Sequence, residues 1–208
     1  MNVRVNLLAI FVLSICSNYA LAQFDTVINL PENPDSPNPS GFSGNSIGRF
    51  SGISSNTQLN VSDGGSIGFQ FDAGAEDVSN TNIEVNISGG RVGSFFNANS
   101  GSTVNISGGE VIFGFFNANS GSTVNISGGT VGDNFNANSG STVNISGGDP
   151  GEFFRANDGS EVNISGGAVG GVFNADSGST VNISGGTIGN GFDANNGSEV
   201  NISGGSSC

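Results

Sequence analysis

Thr-Val-Gly-Asp-Asn-Phe-Asn-Ala-Asn-Ser-Gly-Ser-Thr-Val-Asn-Ile-Ser-Gly-Gly, residues 130–148, is one copy of a unit that repeats along most of this chain. Its last five residues recur at steps of 19, 20, 19, 19, 19 and 19 residues, in copies that begin at Asn86, Asn105, Asn125, Asn144, Asn163, Asn182 and Asn201. A divergent copy begins upstream at Asn60. Self-similarity at a fixed period of about 20 residues is typical of a solenoid.

Apolar residues form five columns, at offsets 0, 4, 6, 12 and 14 from Val131. Along the chain these columns hold mostly Val or Ile, Phe, Ala, Val and Ile, in that order. A divergent first copy has the same spacing, with Ile47, Ile53, Leu59 and Val61 at offsets 0, 6, 12 and 14. Residues 47–208 therefore make up about eight coils.

Within each unit, Val-Asn-Ile and Phe-x-Ala alternate apolar and polar residues with the period of two that is typical of a strand. Gly-Gly and Asn-Ser-Gly-Ser supply turn residues that tolerate positive φ. We predict an all-β fold, a single parallel β-helix (β-solenoid) whose coils stack on one another. We expect right-handed winding because right-handed crossovers are the general rule, although three-sided left-handed helices are built from units of similar length.

Several irregularities interrupt the repeat. Extra residues predict a loop from Gly74 to Asn82 and a bulge near Ile112. Pro150 stands where other units carry Val or Ile, and it removes one donor from the strand ladder. The Pro-rich residues 23–46 predict an extended leader, from which Thr26 to Leu30 is expected to cover the first coil as an N-terminal cap. The last coil lacks a comparable cap, so its edge is a candidate for self-association.

The first 22 residues have the three parts of a secretory signal peptide: Arg4, an apolar run over residues 7–15, and Ala20-Leu21-Ala22 before the cleavage point. Cys16 has a faint resemblance to a lipidation site, but the bulky residue before it favours cleavage after Ala22. The apolar run is shorter than the roughly 20 residues of a bilayer span. We therefore expect a secreted, extracellular or cell-surface protein without membrane insertion.

The chain is acidic, with 4 basic and 17 acidic residues and a net charge of −13 at pH 7. This charge disfavours binding to nucleic acid or to anionic membrane surfaces. Removal of the signal peptide leaves Cys208 as the only cysteine, so an internal disulfide is excluded. Cys208 remains a candidate intermolecular thiol.

Asparagine forms the longest outward column, at Asn60 and at the seven motif positions. This pattern favours an amide ladder in which each side chain hydrogen-bonds its copies in the neighbouring coils. Each of these asparagines also begins an Asn-x-Ser sequon, as does Asn196, so glycosylation is the alternative. Closely spaced glycans along one ladder would crowd one another.

A threonine row runs beside the asparagines. It contains Thr103, Thr123, Thr142 and Thr180, and it is interrupted by Glu84, Glu161 and Glu199. Regular Thr, Asn and Ser rows on a flat sheet are one way to order water against ice or a crystal. The interruptions favour a solvated, β-forming face instead.

The sequence predicts no metal site, cofactor or catalytic centre. Aspartates occupy different positions in their units, unlike those of calcium-binding nonapeptide repeats: Asp133, Asp149, Asp158 and Asp176. The chain contains no His and no Trp. Arg155 and Glu161 are the pair that a polysaccharide-acting β-helix enzyme would use, but the uniform repeat favours a protein that is not an enzyme.

The Ser-Gly-Gly-Thr-Val and Ser-Gly-Ser-Thr-Val-Asn-Ile-Ser-Gly-Gly units resemble the repeats of bacterial autotransporter-type adhesin passengers, such as the AIDA-like family, over residues 47–205. They are also similar to repeat-rich exported proteins of bacteria. The resemblance implies a β-solenoid, surface exposure, and attachment to cells, glycans or other copies. No translocator barrel follows the repeat in this sequence, so we do not expect self-display, and no family binding residue maps onto a position here.

Together these features predict a non-enzymatic secreted or cell-surface protein with a structural or adhesive role. Its candidate partners are glycans, a cell surface, or a second copy that pairs with the open C-terminal coil. The alternatives are an ice- or crystal-binding solenoid and a polysaccharide-acting β-helix enzyme.

Overall fold

A computed structural model describes residues 24–32, 44–49, 51–74, 81–112 and 114–207. These residues form twenty-five strands and no helix, and the strands pair in parallel. Each coil contributes a strand to each of three sides, with one interruption described below. The predicted all-β solenoid of about eight coils, spaced about 19 residues apart, is confirmed.

The longest side, which we name the asparagine sheet, has nine strands. In spatial order they are β1 (Thr26–Leu30), β4 (Thr57–Val61), β7 (Ile83–Ile87), β10 (Ser102–Ile106), β13 (Thr123–Ile126), β16 (Thr142–Ser146), β18 (Glu161–Gly166), β21 (Thr180–Ile183) and β24 (Glu199–Ile202). Its register pairs each outward Asn with the Asn of the next coil. The nineteen-residue repeat therefore sets the register of the sheet.

The second side, the phenylalanine sheet, has eight strands, one in each coil. They are β3 (Ser51–Ile53), β6 (Phe71–Ala73), β9 (Phe96–Ala98), β12 (Phe116–Ala118), β15 (Phe135–Ala137), β17 (Phe154–Ala156), β20 (Val172–Ala175) and β23 (Gly191–Ala194). Phe and Ala point inward because alternate residues of a strand face opposite sides.

The third side consists of two-residue strands and is divided into two sheets. The first holds β2 (Ser46–Ile47), β5 (Ser66–Ile67), β8 (Arg91–Val92), β11 (Glu110–Val111) and β14 (Thr130–Val131), and the second holds β19 (Ala168–Val169), β22 (Thr187–Ile188) and β25 (Ser206–Ser207). Between them only a single bridge, Thr130 to Asp149, remains. The break falls at the coil of Pro150, whose ring nitrogen has no hydrogen to donate, as the sequence indicates.

The core is a set of stacked columns inside the coils. One column consists of phenylalanines that are buried from Phe71 to Phe173 and partly buried at Phe192, and their successive ring centroids lie 4.7 to 5.3 Å apart. The Val and Ile columns are almost completely buried from the first coil onward, including Ile47 and Leu59. At the last coil Ile202 is 66% exposed, because no described strand covers it.

Two corners of each coil are built in nearly the same way throughout. At the Gly-Gly corner the second glycine has positive φ, for example 78° at Gly109, where an added Cβ would lie 2.6 Å from the carbonyl oxygen of Gly89. Glycine is required there by conformation and by the close approach of the neighbouring coil. At the Asn-Ser-Gly-Ser corner, Ser141 is buried and its Oγ donates to the carbonyl oxygen of Asn138 at 2.6 Å. This buried serine column is absent from the sequence prediction.

The first coil is covered by β1, the segment that the sequence places there. It pairs with β4 from Thr26 to Leu30, and Ile28 and Leu30 are buried. Asn60 Nδ2 donates to Asn29 Oδ1 at 3.0 Å, so the amide ladder continues into this strand. Residues 33–43 of the predicted leader, like the predicted signal peptide, lie outside the described residues.

The structure tests one of two further irregularities that the sequence predicts. The strand pairs on either side of Ile112 keep a regular register, so the extra residue falls in the corner between β11 and β12 and not as a bulge within a strand pair. A register shift occurs instead between β16 and β18, where Ser146 pairs with Gly166. The predicted loop from Gly74 to Asn82 falls largely on residues 75–80, which lie outside the described residues.

Candidate functional site

The asparagine column on the asparagine sheet is a continuous hydrogen-bonded ladder. Each Nδ2 donates to the Oδ1 of the preceding coil at 2.8 to 3.0 Å, at Asn86, Asn105, Asn125, Asn144, Asn163, Asn182 and Asn201. Because each amide is both donor and acceptor within the rod, these side chains are largely occupied by one another. The recurrence of asparagine in this column is therefore explained by the hydrogen bonds that it contributes to the fold.

Two further amide ladders, which the sequence prediction did not identify, run along the rod. On the phenylalanine sheet, Asn97, Asn117 and Asn136 form a ladder with donor–acceptor distances of 2.8 and 3.0 Å. At the Asn-Ser-Gly-Ser corner, another ladder joins Asn99, Asn119, Asn138 and Asn157 at 2.7 to 2.8 Å. Their signal in the sequence was an Asn at a constant offset in most units.

The threonine row is interrupted as the sequence indicates, and the structure shows what the glutamates do there. Glu84 and Glu161 each accept a hydrogen bond from the Asn two residues later, at 2.6 and 3.0 Å. Glu199 bonds Asn201 in the same way at 3.1 Å. The longest uninterrupted stretch is Thr103, Thr123 and Thr142, in three adjacent strands.

Arg155 and Glu161, the pair considered for catalysis, are not brought together. Arg155 lies in the phenylalanine sheet with its Nε 3.8 Å from Asp176 Oδ2, whereas Glu161 lies in the asparagine sheet beside Asn163. In the described part of the chain, no group of three or more His, Cys, Asp or Glu side chains could hold a metal ion. Asp158 and Asp176 lie at the Asn-Ser-Gly-Ser corner. Asp133 and Asp149 lie elsewhere in the coil, at the two ends of the short-strand side.

The third corner differs from the other two because its residues change from coil to coil. Here each coil turns from its short strand into the phenylalanine sheet through two outward residues. We name these residues the variable corner: Phe69-Gln70, Ser94-Phe95, Gly114-Phe115, Asp133-Asn134, Glu152-Phe153, Gly171-Val172 and Asn190-Gly191. The carbonyl groups of Phe95, Phe115 and Asn134 each accept a bond from the preceding coil, so the corner is a stacked column like the others.

Four phenylalanines of the variable corner point into solvent. Their exposed fractions are 36, 39, 44 and 50% for Phe69, Phe95, Phe115 and Phe153. The ring centroids of Phe69 and Phe95 are 5.0 Å apart, and those of Phe95 and Phe115 are 5.3 Å apart. We name these four side chains the aromatic stripe. It is interrupted only at Asn134, between Phe115 and Phe153.

Two members of the aromatic stripe also have an unfavourable backbone conformation. Phe95 has φ of 61° and Phe153 has φ of 59°, in the left-handed region that bulky residues rarely adopt. Asn134, at the same offset, has φ of 63°, and asparagine tolerates this region far better. The solenoid therefore carries phenylalanine at positions where both exposure and conformation favour another residue, which is typical of a functional constraint.

A groove adjoins the stripe where Pro150 interrupts the short strands. It has a volume of about 320 Å³, and four acidic residues line it: Glu110, Asp133, Asp149 and Glu152. Asp133 Oδ1 accepts a hydrogen bond from the Glu152 amide at 2.9 Å, and Asp149 Oδ1 accepts one from the Gly151 amide at 3.0 Å. Among the described residues that line the groove there is no basic side chain. We name it the acidic groove.

The sequence contains a signal for the stripe that the prediction did not use. Three Phe-Phe doublets, at residues 95–96, 115–116 and 153–154, place their second Phe in the inward column. Because neighbouring residues near a strand face opposite ways, the first Phe of each doublet faces outward. Phe50 has the same offset in the first coil, and it lies outside the described residues.

Cys208, the candidate intermolecular thiol, lies outside the described residues. Over the ranges that the structure describes, no helix has the length and apolar character to cross a membrane. Comparisons of this chain with protein-family models, with curated proteins and with solved structures gave no match. The functional assignment therefore depends on the surface chemistry of the solenoid.

Proposed function

We propose that this protein is a non-enzymatic, secreted or cell-surface adhesive protein, in which the solenoid is a rigid scaffold and the variable corner is the surface that attaches. The observation that carries this proposal is the aromatic stripe, four phenylalanines that are 36 to 50% exposed. An exposed apolar stripe costs solubility and contributes little to folding, so its retention is explained by a partner that covers it.

The rest of the solenoid supports a scaffold role. Its outward amides are bonded to one another, and its two nearly constant corners consist of small residues packed against the neighbouring coil. A stack of this kind gives an extended surface with a fixed spacing between side chains on successive coils. Binding residues placed on such a surface are already ordered, which lowers the entropic cost of binding.

An adhesion assay tests this proposal. The full chain and a triple variant, Phe95→Asn, Phe115→Asn and Phe153→Asn, are coated at equal density and challenged with bacterial envelopes, matrix glycans and host-cell surfaces. Asparagine is the matched replacement because Asn134 already occupies the same offset. We expect the native chain to retain at least one surface and the triple variant to lose most of that retention.

The same assay includes a variant of the asparagine sheet as its control. Glu161→Thr introduces the residue that both neighbouring coils carry at that offset and leaves the variable corner unchanged. We expect this variant to adhere like the native chain. Equal retention by native chain and triple variant, or retention of no surface at all, would contradict an adhesive variable corner.

Ice or crystal binding is the second candidate, favoured by the regular Thr, Asn and Ser rows of the asparagine sheet. The register keeps Thr103, Thr123 and Thr142 directly opposite one another in β10, β13 and β16. Glu84 and Glu161 limit this patch to three coils. Ice growth in the presence of concentrated protein distinguishes the two functions, because only an ice-binding face would reshape the crystals.

A further inference from the structure

We infer that the variable corner binds a basic polypeptide segment, whose apolar side chains cover the aromatic stripe while its Lys or Arg side chains enter the acidic groove. This inference rests on the proposed function and names the chemistry of its partner. It follows from the position of the two features, since Phe153 directly follows Glu152 and Asn134 directly follows Asp133 in the chain.

Charge selects a cationic partner. The chain has a net charge of −13, so any partner approaches through a negative potential. Three arginines lie near the stripe: Arg91 is paired with Glu110 at 3.3 Å, Arg155 lies 3.8 Å from Asp176, and Arg49 stands one coil before Phe69. None of them lines the groove beside Asp133, Asp149 and Glu152. A second copy of the chain would bring the same negative charge to the contact, and anionic polymers would be repelled.

Aromatic rings beside carboxylates also suit a cation in particular. A Lys or Arg group near the face of an exposed Phe is attracted by the ring quadrupole, and a neighbouring carboxylate adds to this attraction. The apolar stems of both side chains cover ring surface while their charged ends stay near water. A neutral oligosaccharide would use the rings and leave the acidic groove without a role.

The length of the stripe sets the size of the bound segment. Phe69 and Phe153 are four coils apart, which corresponds to roughly 19 Å at about 4.8 Å per coil. An extended polypeptide advances about 3.3 Å per residue, so about six residues cover the stripe. Alternate residues of such a segment face opposite sides, which allows one set to meet the rings and the other the carboxylates.

Fluorescence anisotropy with the full chain tests the inference. The probe is a labelled peptide of about eight residues that alternates Arg and Leu, long enough to cover the stripe at about 3.3 Å per residue. Matched probes replace every Arg by Glu, or every Leu by Gly, and a linear neutral oligosaccharide serves as the non-peptide probe. We expect only the Arg-Leu peptide to bind, and its affinity to fall when NaCl rises from about 0.05 M to about 0.5 M.

Single variants locate the binding site. We expect Phe153→Asn to weaken the Arg-Leu peptide about tenfold, because Phe153 is the aromatic residue that directly follows Glu152 of the acidic groove and is the most exposed of the four. Glu152→Gln is expected to weaken it about threefold and to reduce the salt dependence. Glu161→Gln, on the asparagine sheet, is the matched charge control, for which we expect the native affinity.

Asn134→Phe provides a test that does not depend on loss of function. It fills the interruption between Phe115 and Phe153, at an offset that already carries Phe in two neighbouring coils. We expect this variant to bind the Arg-Leu peptide about threefold more tightly, because it adds one aromatic contact. Unchanged or weaker binding by a folded Asn134→Phe chain would contradict the proposed site.

The outcomes separate this inference from the proposed function. If the triple Phe→Asn variant loses adhesion but the Arg-Leu peptide fails to bind the native chain, the adhesive corner stands and the basic partner is wrong. Binding of the neutral oligosaccharide or of the Glu-Leu peptide in place of the Arg-Leu peptide would overturn it equally. Peptide binding that is unchanged in Phe153→Asn and Glu152→Gln would place any partner away from this corner.

Discussion

The asparagine sheet and the variable corner are built on the same coils, yet the outward residues are nearly constant on the sheet and variable at the corner. On the sheet, one residue type occupies the ladder in all eight coils and bonds to its copies at 2.8 to 3.0 Å. At the corner, the outward pair changes from coil to coil and includes four exposed phenylalanines. Backbone bonds join neighbouring coils at both places, so residue identity is most constant where side chains bond their own copies in the next coil.

The proposed attachment surface would depend on this difference. The two nearly constant corners bring backbone atoms of neighbouring coils close together, and a side chain at Gly109 would collide with the coil below. At the variable corner, an added Cβ on Gly171 meets nothing within 4 Å. The same addition would lie 2.5 Å from Ser94 Cβ at Gly114 and would collide with the Gly171 carbonyl oxygen at Gly191, so the stack leaves room for a new side chain at some positions of this corner and not at others.

The largest difference in the free energy of unfolding is expected between substitutions of an inward and an outward phenylalanine. Phe135 is completely buried and lies 4.8 Å from Phe116 and 4.7 Å from Phe154, between ring centroids. Phe135→Ala should lower the free energy of unfolding by about 3 to 5 kcal/mol, because it opens a cavity in the column. Phe95→Asn should leave it unchanged or raise it by up to about 1 kcal/mol, because asparagine adopts the positive φ more easily. Urea unfolding compares them, and equal losses would contradict the separation of core from surface.

The next largest difference in stability is expected between Gly→Ala substitutions at two positions. Gly109→Ala should cost about 2 kcal/mol or more, because φ is 78° and the new methyl group would meet the Gly89 carbonyl oxygen. Gly171→Ala, in the variable corner, should be nearly neutral. Thermal unfolding of both variants checks this difference. A neutral Gly109→Ala would show that the coils separate more easily than the close contacts indicate.

A smaller effect is expected from one rung of the amide ladder. Asn144→Ala removes the bond to Asn125 and leaves the Asn163 amide with only its bond to Glu161, at a cost of about 1 to 2 kcal/mol. Asn134→Gly in the variable corner is the control, since glycine also accepts positive φ and no ladder bond is lost. Urea midpoints that fall equally in the two variants would argue against a stabilising ladder.

The smallest effect concerns the interruption at Pro150, and here we expect a gain. In the preceding coil the Val131 amide donates to the Asp149 carbonyl oxygen at 2.7 Å, so an amide at position 150 would face Ala168 in the following coil. Pro150→Val supplies that donor and should raise the free energy of unfolding by about 1 kcal/mol. A lower urea midpoint for this variant would indicate that the interruption is required by the surrounding corner.

Sequence patterns predicted the features that depend on apolar periodicity. The five inward columns, the eight coils, and the break at Pro150 all follow from residues that either fit or fail to fit a stacked strand. The buried serines were not predicted, because Ser141 is polar and its burial depends on a bond to the Asn138 carbonyl oxygen. That bond exists only once the corner has formed.

The aromatic stripe was missed for a related reason. A search for columns of identical residues finds Phe96 and Phe116, and it passes over Phe95 and Phe115 beside them. Their role depends on which way the corner turns and on a positive φ that no periodic pattern encodes. Variation between otherwise constant units was the available signal, and it identifies the positions that stacking leaves free.

Hydroxyl-radical footprinting of the protein bound to a surface that it retains tests the central claim most directly. The method reports the oxidation of exposed side chains, with aromatic rings the most reactive, with and without the partner. We predict that oxidation of Phe69, Phe95, Phe115 and Phe153 falls sharply on binding, while the side chains of the asparagine sheet keep their reactivity. Protection of the asparagine sheet with an unprotected aromatic stripe would contradict the assignment of attachment to the variable corner.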